Sequence, residues 1–185
     1  GEESLITFPC LKISQNKEIK EIEVDLSDKQ YAKILKSMYY AYINAPYFKN
    51  IYPLVQECLQ SNSKTISDLA IYSIQQVCDF LNIERKFERS SLKYPNTKHL
   101  SKANRLIEIT KRENATKYIN AIGGQELYTK EYFKAKKIDL HFLKPKNCEY
   151  IQFNNDFVPN LSIIDVLMFN SIENVREIIC NYELV

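Results

Sequence analysis

The residues best suited to chemistry lie between Arg89 and Asp165. Gly123 and Gly124 are adjacent, and Gly1 is the third glycine. A glycine turn opening a helix exposes N–H groups and the positive end of the helix dipole, a natural anion site. Gln125 extends that row of amides. A purely steric turn is the other reading, because the residues form neither GxGxxG nor a Walker loop. Arg89 and Arg105 offer planar forks for a phosphate or carboxylate. The hydroxyls of Ser90 and Ser91 either bind such an anion or cap a turn. Tyr118 and Asn160 are candidates to orient a substrate, and Asn160 equally suits a turn-locking role. For proton transfer the candidates are His141, by its ordinary pKa, and Asp165. His141 falls on an alternating strand, where a plain surface role is equally open. Asp165 stands three after Ser162, the spacing of a capping box with Leu161 and Val166 as its staple. A helix start is therefore the simpler reading of that pair than a nucleophile with its acid.

The elements that must position these groups follow from periodicity. Residues 116–142 read as a βαβ unit: a β-branched and aromatic strand, the glycine turn, a helix over Gln125–Lys137, and an alternating strand at Ile138, Leu140 and Phe142. In that helix Leu127, Tyr132 and Phe133 are spaced for one face. Upstream, Ser4–Ile13 and Ile19–Leu26 suggest a hairpin of two strands. Ser27 starts a first helix, with Leu26 and Tyr31 as its staple, ended by Pro46. A second helix covers Tyr47–Gln60, and Thr65 caps a third. Lys86–Ser91 reads as a short strand, which sets Ser90 and Ser91 at a strand end, where α/β proteins place ligand groups. Ser101–Glu113 is a fourth helix, Tyr150–Phe153 a short strand, and two more helices lie in Phe157–Tyr182. The expectation is an α/β fold: a small, mixed, partly parallel sheet with about six flanking helices.

At 185 residues with 45% hydrophobic and 26% charged content, one domain over 1–185 is expected. Five scattered cysteines, without a CxxC, point to reduced thiols. With no signal peptide and no membrane-spanning run, a cytoplasmic location is expected. Neither His99 nor His141 has a second ligand at metal spacing, so no metal and no other cofactor is expected. The net charge of +2 argues against a nucleic-acid partner. Glu84–Lys117 nevertheless holds ten Lys/Arg against four Glu, either a solvated face or an anion-facing rim beside the glycines. The tyrosines at 39, 40, 42, 47 and 52 read as core aromatics, with stacking on a sugar or base as the other role.

Four segments in order, KSMYYAYINAPYFKNIYPL, FERSS, ATKYINAIGGQELYTKEYFKAKKIDLHF and FVPNLSIIDVLMFN, resemble the WbqC-like proteins. The resemblance runs from about Leu5 to Ile179. It implies a bacterial protein of O-antigen or other surface-polysaccharide gene clusters. Such proteins usually begin with a further segment, holding a QPxYxPW-like start and an acidic LDDVQ-like stretch, which this chain is expected to lack. Asn120–Ala121 also replaces the small Ser–Gly type of turn expected before the glycines. Pathway and glycine turn together favour acyl or aminoacyl transfer to an amino sugar on a nucleotide carrier. The alternative is a non-catalytic carbohydrate- or nucleotide-binding module, or an assembly subunit of the same pathway. The expected partner is a small sugar or nucleotide sugar.

Overall fold

The computed structural model describes residues 3–25, 27, 29–153 and 156–185. In chain order the elements are β1 (Cys10–Leu11), β2 (Glu23–Val24), α1 (Lys29–Tyr42), α2 (Phe48–Leu59), α3 (Ile66–Phe80), α4 (Ser90–Lys93), α5 (Lys102–Arg112), β3 (Lys117–Ala121), α6 (Lys130–Lys134), β4 (Asp139–Pro145), α7 (Ile163–Phe169), α8 (Ile172–Cys180) and β5 (Tyr182–Leu184). The expected mixed α/β class holds, with eight helices and two small sheets among the described residues. The chain divides into two compact units, Gly1–Arg85 with Glu149–Ile178, and Lys86–Cys148 with Ile179–Val185.

The first unit is mostly helical. The apolar stripe of α1 buries Tyr31, Ile34 and Met38, and α2 buries Ile51, Val55, Cys58 and Leu59. Pro53 lies inside α2, where it removes the helical donor to the Lys49 carbonyl. Leu167, Met168 and Val175 from α7 and α8 complete this core. The N-terminal hairpin is real but short: β1 and β2 pair antiparallel over two residues each. Ile19–Glu21, expected to be strand, is a 3-10 turn. The proposed Leu26 staple lies outside the described residues.

Thr65 caps α3 as its position suggests. Its Oγ1 accepts from Asp68 N–H at 3.1 Å and donates to Asp68 Oδ2 at 2.8 Å. The same corner ties α3 to the hairpin, because Ile66 N–H donates to Ile22 O at 2.9 Å and Val24 N–H to Lys64 O at 3.0 Å. Thr65→Ala should therefore lower stability by about 1–2 kcal/mol. Thr65→Ser should keep most of it. Urea titration of the two variants checks this, and equal midpoints would remove the cap from the account.

The second unit holds a three-stranded sheet in the order β3-β4-β5. β3 and β4 are parallel, from Lys117↔Asp139 to Ala121↔Leu143. This is the expected βαβ unit, with a correction. Instead of one helix over Gln125–Lys137 there is a 3-10 turn, Ile122–Glu126, and then the short α6. The break falls at extended Thr129, the N-cap of α6. Phe133 is fully buried, worth about 1.5–3 kcal/mol. Leu127 and Tyr132 are exposed, so they do not share its face. Phe133 packs with Ile107, Ile138, Leu140 and Phe142.

Two expected strands are absent. Residues 86–89 have no regular structure and Ser90 begins a helix. Tyr150–Phe153 is a loop. The strand that periodicity missed is β5, antiparallel to β4 from Leu143↔Leu184 to Pro145↔Tyr182.

Candidate functional site

The glycine pair follows the carboxyl end of β3, where parallel strands deliver a chain to a ligand. Neither Gly123 nor Gly124 has positive φ, so backbone freedom is not why they are glycines. Gly124 is buried. A Cβ there would lie 2.3 Å from Asn120 Nδ2, 3.0 Å from Asn120 Cγ and 3.4 Å from Phe142 Cε1. Gly124 makes room for the inward face of the sheet, which carries Asn120 beside Phe142 in register. Its carbonyl accepts from Leu127 N–H at 3.0 Å and Tyr128 N–H at 3.1 Å. Gly123 differs: it is exposed, and nothing lies within 4 Å of where its Cβ would be. Open space beside an uncovered backbone is the feature a ligand needs. Gln125 is exposed beside it.

Tyr118 lies on β3 in register with Leu140, its ring stacked on Phe133 at 5.8 Å between centroids. Burial, with a smaller contribution from Tyr128, raises its phenol above the usual range. Tyr118 thus stays protonated at neutral pH and is available as a donor. His141 is half-buried in mid-β4, opposite Ile119, on the face away from Leu140 and Phe142.

Arg89 stands at the N-cap of α4, and Ser90 and Ser91 are its first residues. They follow a coil rather than a strand, which corrects the expectation of a strand-end hydroxyl pair. Arg105, on α5, donates from Nε to Thr97 Oγ1 at 3.2 Å, and Thr97 in turn donates to Tyr94 O at 2.8 Å. At least three of the ten cations in this region are paired with its glutamates. Lys93 bridges Glu113 at 2.7 Å and Glu88 at 3.2 Å, Lys86 meets Glu88 at 2.9 Å, and Arg112 meets Glu108 at 2.8 Å. The Tyr94 hydroxyl also donates to Glu113. Hydrogen bonding to Glu113, Tyr94 and Glu88 holds the Lys93 ammonium above its usual range. Hydrogen bonds from Lys93 and Tyr94 hold the Glu113 carboxyl below its own.

Asp165 and Asn160 belong to the first unit. Ser162 caps α7, its Oγ accepting from Ile164 N–H at 3.3 Å. Asp165 does not close the expected box; its side chain turns inward and is 4% exposed. Oδ1 accepts from the Tyr150 hydroxyl at 2.7 Å and Gln152 Nε2 at 2.8 Å. Oδ2 accepts from the Tyr42 hydroxyl at 3.0 Å. Burial, then the charge and hydrogen bond of Asp165, push the Tyr42 phenol up, which keeps it a donor. Gln152 also clasps Val158, its Oε1 accepting at 2.7 Å and its Nε2 donating to the carbonyl at 3.2 Å. A buried carboxylate with three donors thus fastens the segment before α7 to α1 and α7. Sequence reasoning missed Tyr42, Tyr150 and Gln152 as a group. The one local signal was the i, i+2 spacing of Tyr150 and Gln152, which puts both on one side of extended chain. Asn160 is exposed and left-handed at φ 59°, as a turn-locking asparagine is.

No group of three or more His, Cys, Asp or Glu among the described residues is placed to hold a metal ion. No helix among them is long and apolar enough to cross a membrane. The fold and its glycine turn therefore define a mixed α/β protein with a compact parallel β-turn-β unit. The WbqC-like protein family model matches residues 1–177, and the chain belongs to that family. Comparison with curated proteins and with solved structures gives no match.

Proposed function

We propose that this WbqC-like protein serves bacterial surface-polysaccharide biosynthesis by binding a nucleotide-activated amino sugar and acylating or aminoacylating it. The observation that carries the reading is Gly123, an uncovered backbone at the carboxyl end of a parallel strand pair. In this reading the amide of Gly123 takes the diphosphate, since those of Gly124 and Gln125 close the 3-10 turn, and Arg89 or Arg105 neutralises it. Ser90 and Ser91 orient the sugar, while Tyr118, on the opposite face of the sheet from His141, serves through its packing on Phe133. Its amino nitrogen attacks the acyl carbonyl, the acyl carrier leaves, and His141 takes the proton lost by the amine. Asp165 and Asn160 serve here through the structure of their own unit, because the three donors on Asp165 already occupy its carboxylate.

One observation favours a second reading, a binding module without catalysis. Beside the turn, the titratable group with a raised pKa is Tyr118, a donor and not a base at neutral pH. Calorimetric titration with a nucleoside diphosphate and its amino-sugar conjugate tests both readings. Gly123→Val should weaken binding roughly tenfold or more, with the melting temperature unchanged, since the site is open. Equal affinity in the variant would remove the turn from the site. Binding without acyl transfer from any thioester or adenylate donor would select the module.

A further inference from the structure

At the amino-terminal edge of the same parallel pair the second unit carries a cleft of about 570 Å³, lined by Lys111, Asn114, Thr116, Lys136, Lys137 and Ile138 among others. Its walls are two helix ends. Past α5 the chain turns through left-handed Asn114 (φ 53°), and Ala115 N–H returns to Thr110 O at 3.0 Å. Past α6 it turns through left-handed Lys137 (φ 62°), and Ile138 N–H returns to Phe133 O at 3.1 Å. These closures satisfy terminal carbonyls of both helices from the main chain, so those carbonyls do not need the lysines as partners.

The charge in the cleft is one-sided. No acidic side chain lines it. Lys111, Lys136 and Lys137 make no ion pair and no side-chain hydrogen bond among the described residues, whereas Lys93, Arg112 and Lys144 of the same unit are each paired with a glutamate. Unpaired like charges around a concavity repel one another and concentrate anions there. The concavity is open to solvent, and the exposed Ala115 and Ala135 give it an apolar part.

We propose that this cleft binds a phosphate-bearing small molecule. Lys111, Lys136 and Lys137 hold the phosphate, the Thr116 hydroxyl adds a donor, and the body of the ligand lies against Ala115 and Ala135. The site is distinct from the glycine turn, which stands at the opposite end of β3. The probes are inorganic pyrophosphate and glucose 1-phosphate at low ionic strength, read by calorimetry and by backbone amide shifts.

Saturable shifts are expected at residues 111, 114–116 and 136–138. Lys136→Gln with Lys137→Gln should weaken binding roughly tenfold or more, as should Lys111→Gln combined with either. The melting temperature should not move, because all three side chains are exposed. Gly123→Val should leave these shifts intact. The proposal is overturned by undiminished affinity in the lysine variants, by the absence of saturable shifts, or by binding of a long polyanion such as heparin alone. Loss of pyrophosphate binding in Gly123→Val, with the lysine variants binding as the parent does, also overturns it, and leaves the reading of the glycine turn standing.

Discussion

Asp165→Leu should cost the first unit about 4 kcal/mol, seen as a lowered urea midpoint. The substitution removes the buried carboxylate to which the Tyr42 and Tyr150 hydroxyls and the Gln152 amide donate, although Gln152 keeps the Val158 carbonyl. Each buried donor left without an acceptor costs about 1–3 kcal/mol, and part of that returns as the freed loop admits water. Asp165→Asn discriminates the cause. An asparagine Oδ1 can keep Tyr150 and Gln152, while the Tyr42 hydroxyl turns to accept from the new amide. Its cost should be about 1 kcal/mol. A residue kept only for proton transfer would behave otherwise: both variants would unfold with the parent, and only turnover would change. An unchanged midpoint for the leucine variant would sink the structural role.

The second large effect separates two neighbours of one type. Gly124→Val should destabilise the second unit by about 3 kcal/mol, and Gly124→Ala by about 1–3 kcal/mol, as overpacking does. The new Cβ meets Asn120 Nδ2 at 2.3 Å and approaches Phe142 at 3.4 Å. The Asn120 side chain gives way only by releasing its Oδ1 from Ala121 N–H, a bond of 2.9 Å. Gly123→Ala meets nothing and has no positive φ to strain, so it should be neutral or stabilising by up to about 1 kcal/mol. Asn120→Ser should rescue Gly124→Ala, because the shorter side chain vacates the space. Additive costs in that double variant would mean that the clash is not what fixes Gly124.

These effects explain why the glycine pair was legible as a turn but not in its cause. A GG after a strand marks a bend whatever its reason. Whether the reason is torsion, steric room or ligand access depends on what stands opposite, and that is Asn120 and Phe142 across the strand register. Asp165 was misread for a related reason. The spacing of Ser162 and Asp165 is set by local helix geometry and correctly placed the start of α7. It carries nothing about Tyr42, whose hydroxyl comes from a residue far away in the chain.

By itself the sequence determined the local scaffold. The 3.6-residue stripes placed α1, α2, α3 and α5, Thr65 and Ser162 fixed two helix starts, and the alternation of Ile138, Leu140 and Phe142 placed the parallel strand pair with its glycine turn. Those signals are short-range, written in residues a few positions apart. Tertiary structure decided the rest. It broke the expected helix after the glycines, because burying Phe133 matters more than keeping Leu127 and Tyr132 on one face. It made Lys86–Ser91 and Tyr150–Phe153 non-strands, since a strand exists only where a partner offers its hydrogen bonds. It recruited Tyr182–Leu184 as β5 for the same reason, and it paired Lys86, Lys93 and Arg112 with glutamates, while Lys111, Lys136 and Lys137 make no ion pair among the described residues. Pairing is a property of two segments at once, and one segment's composition cannot contain it.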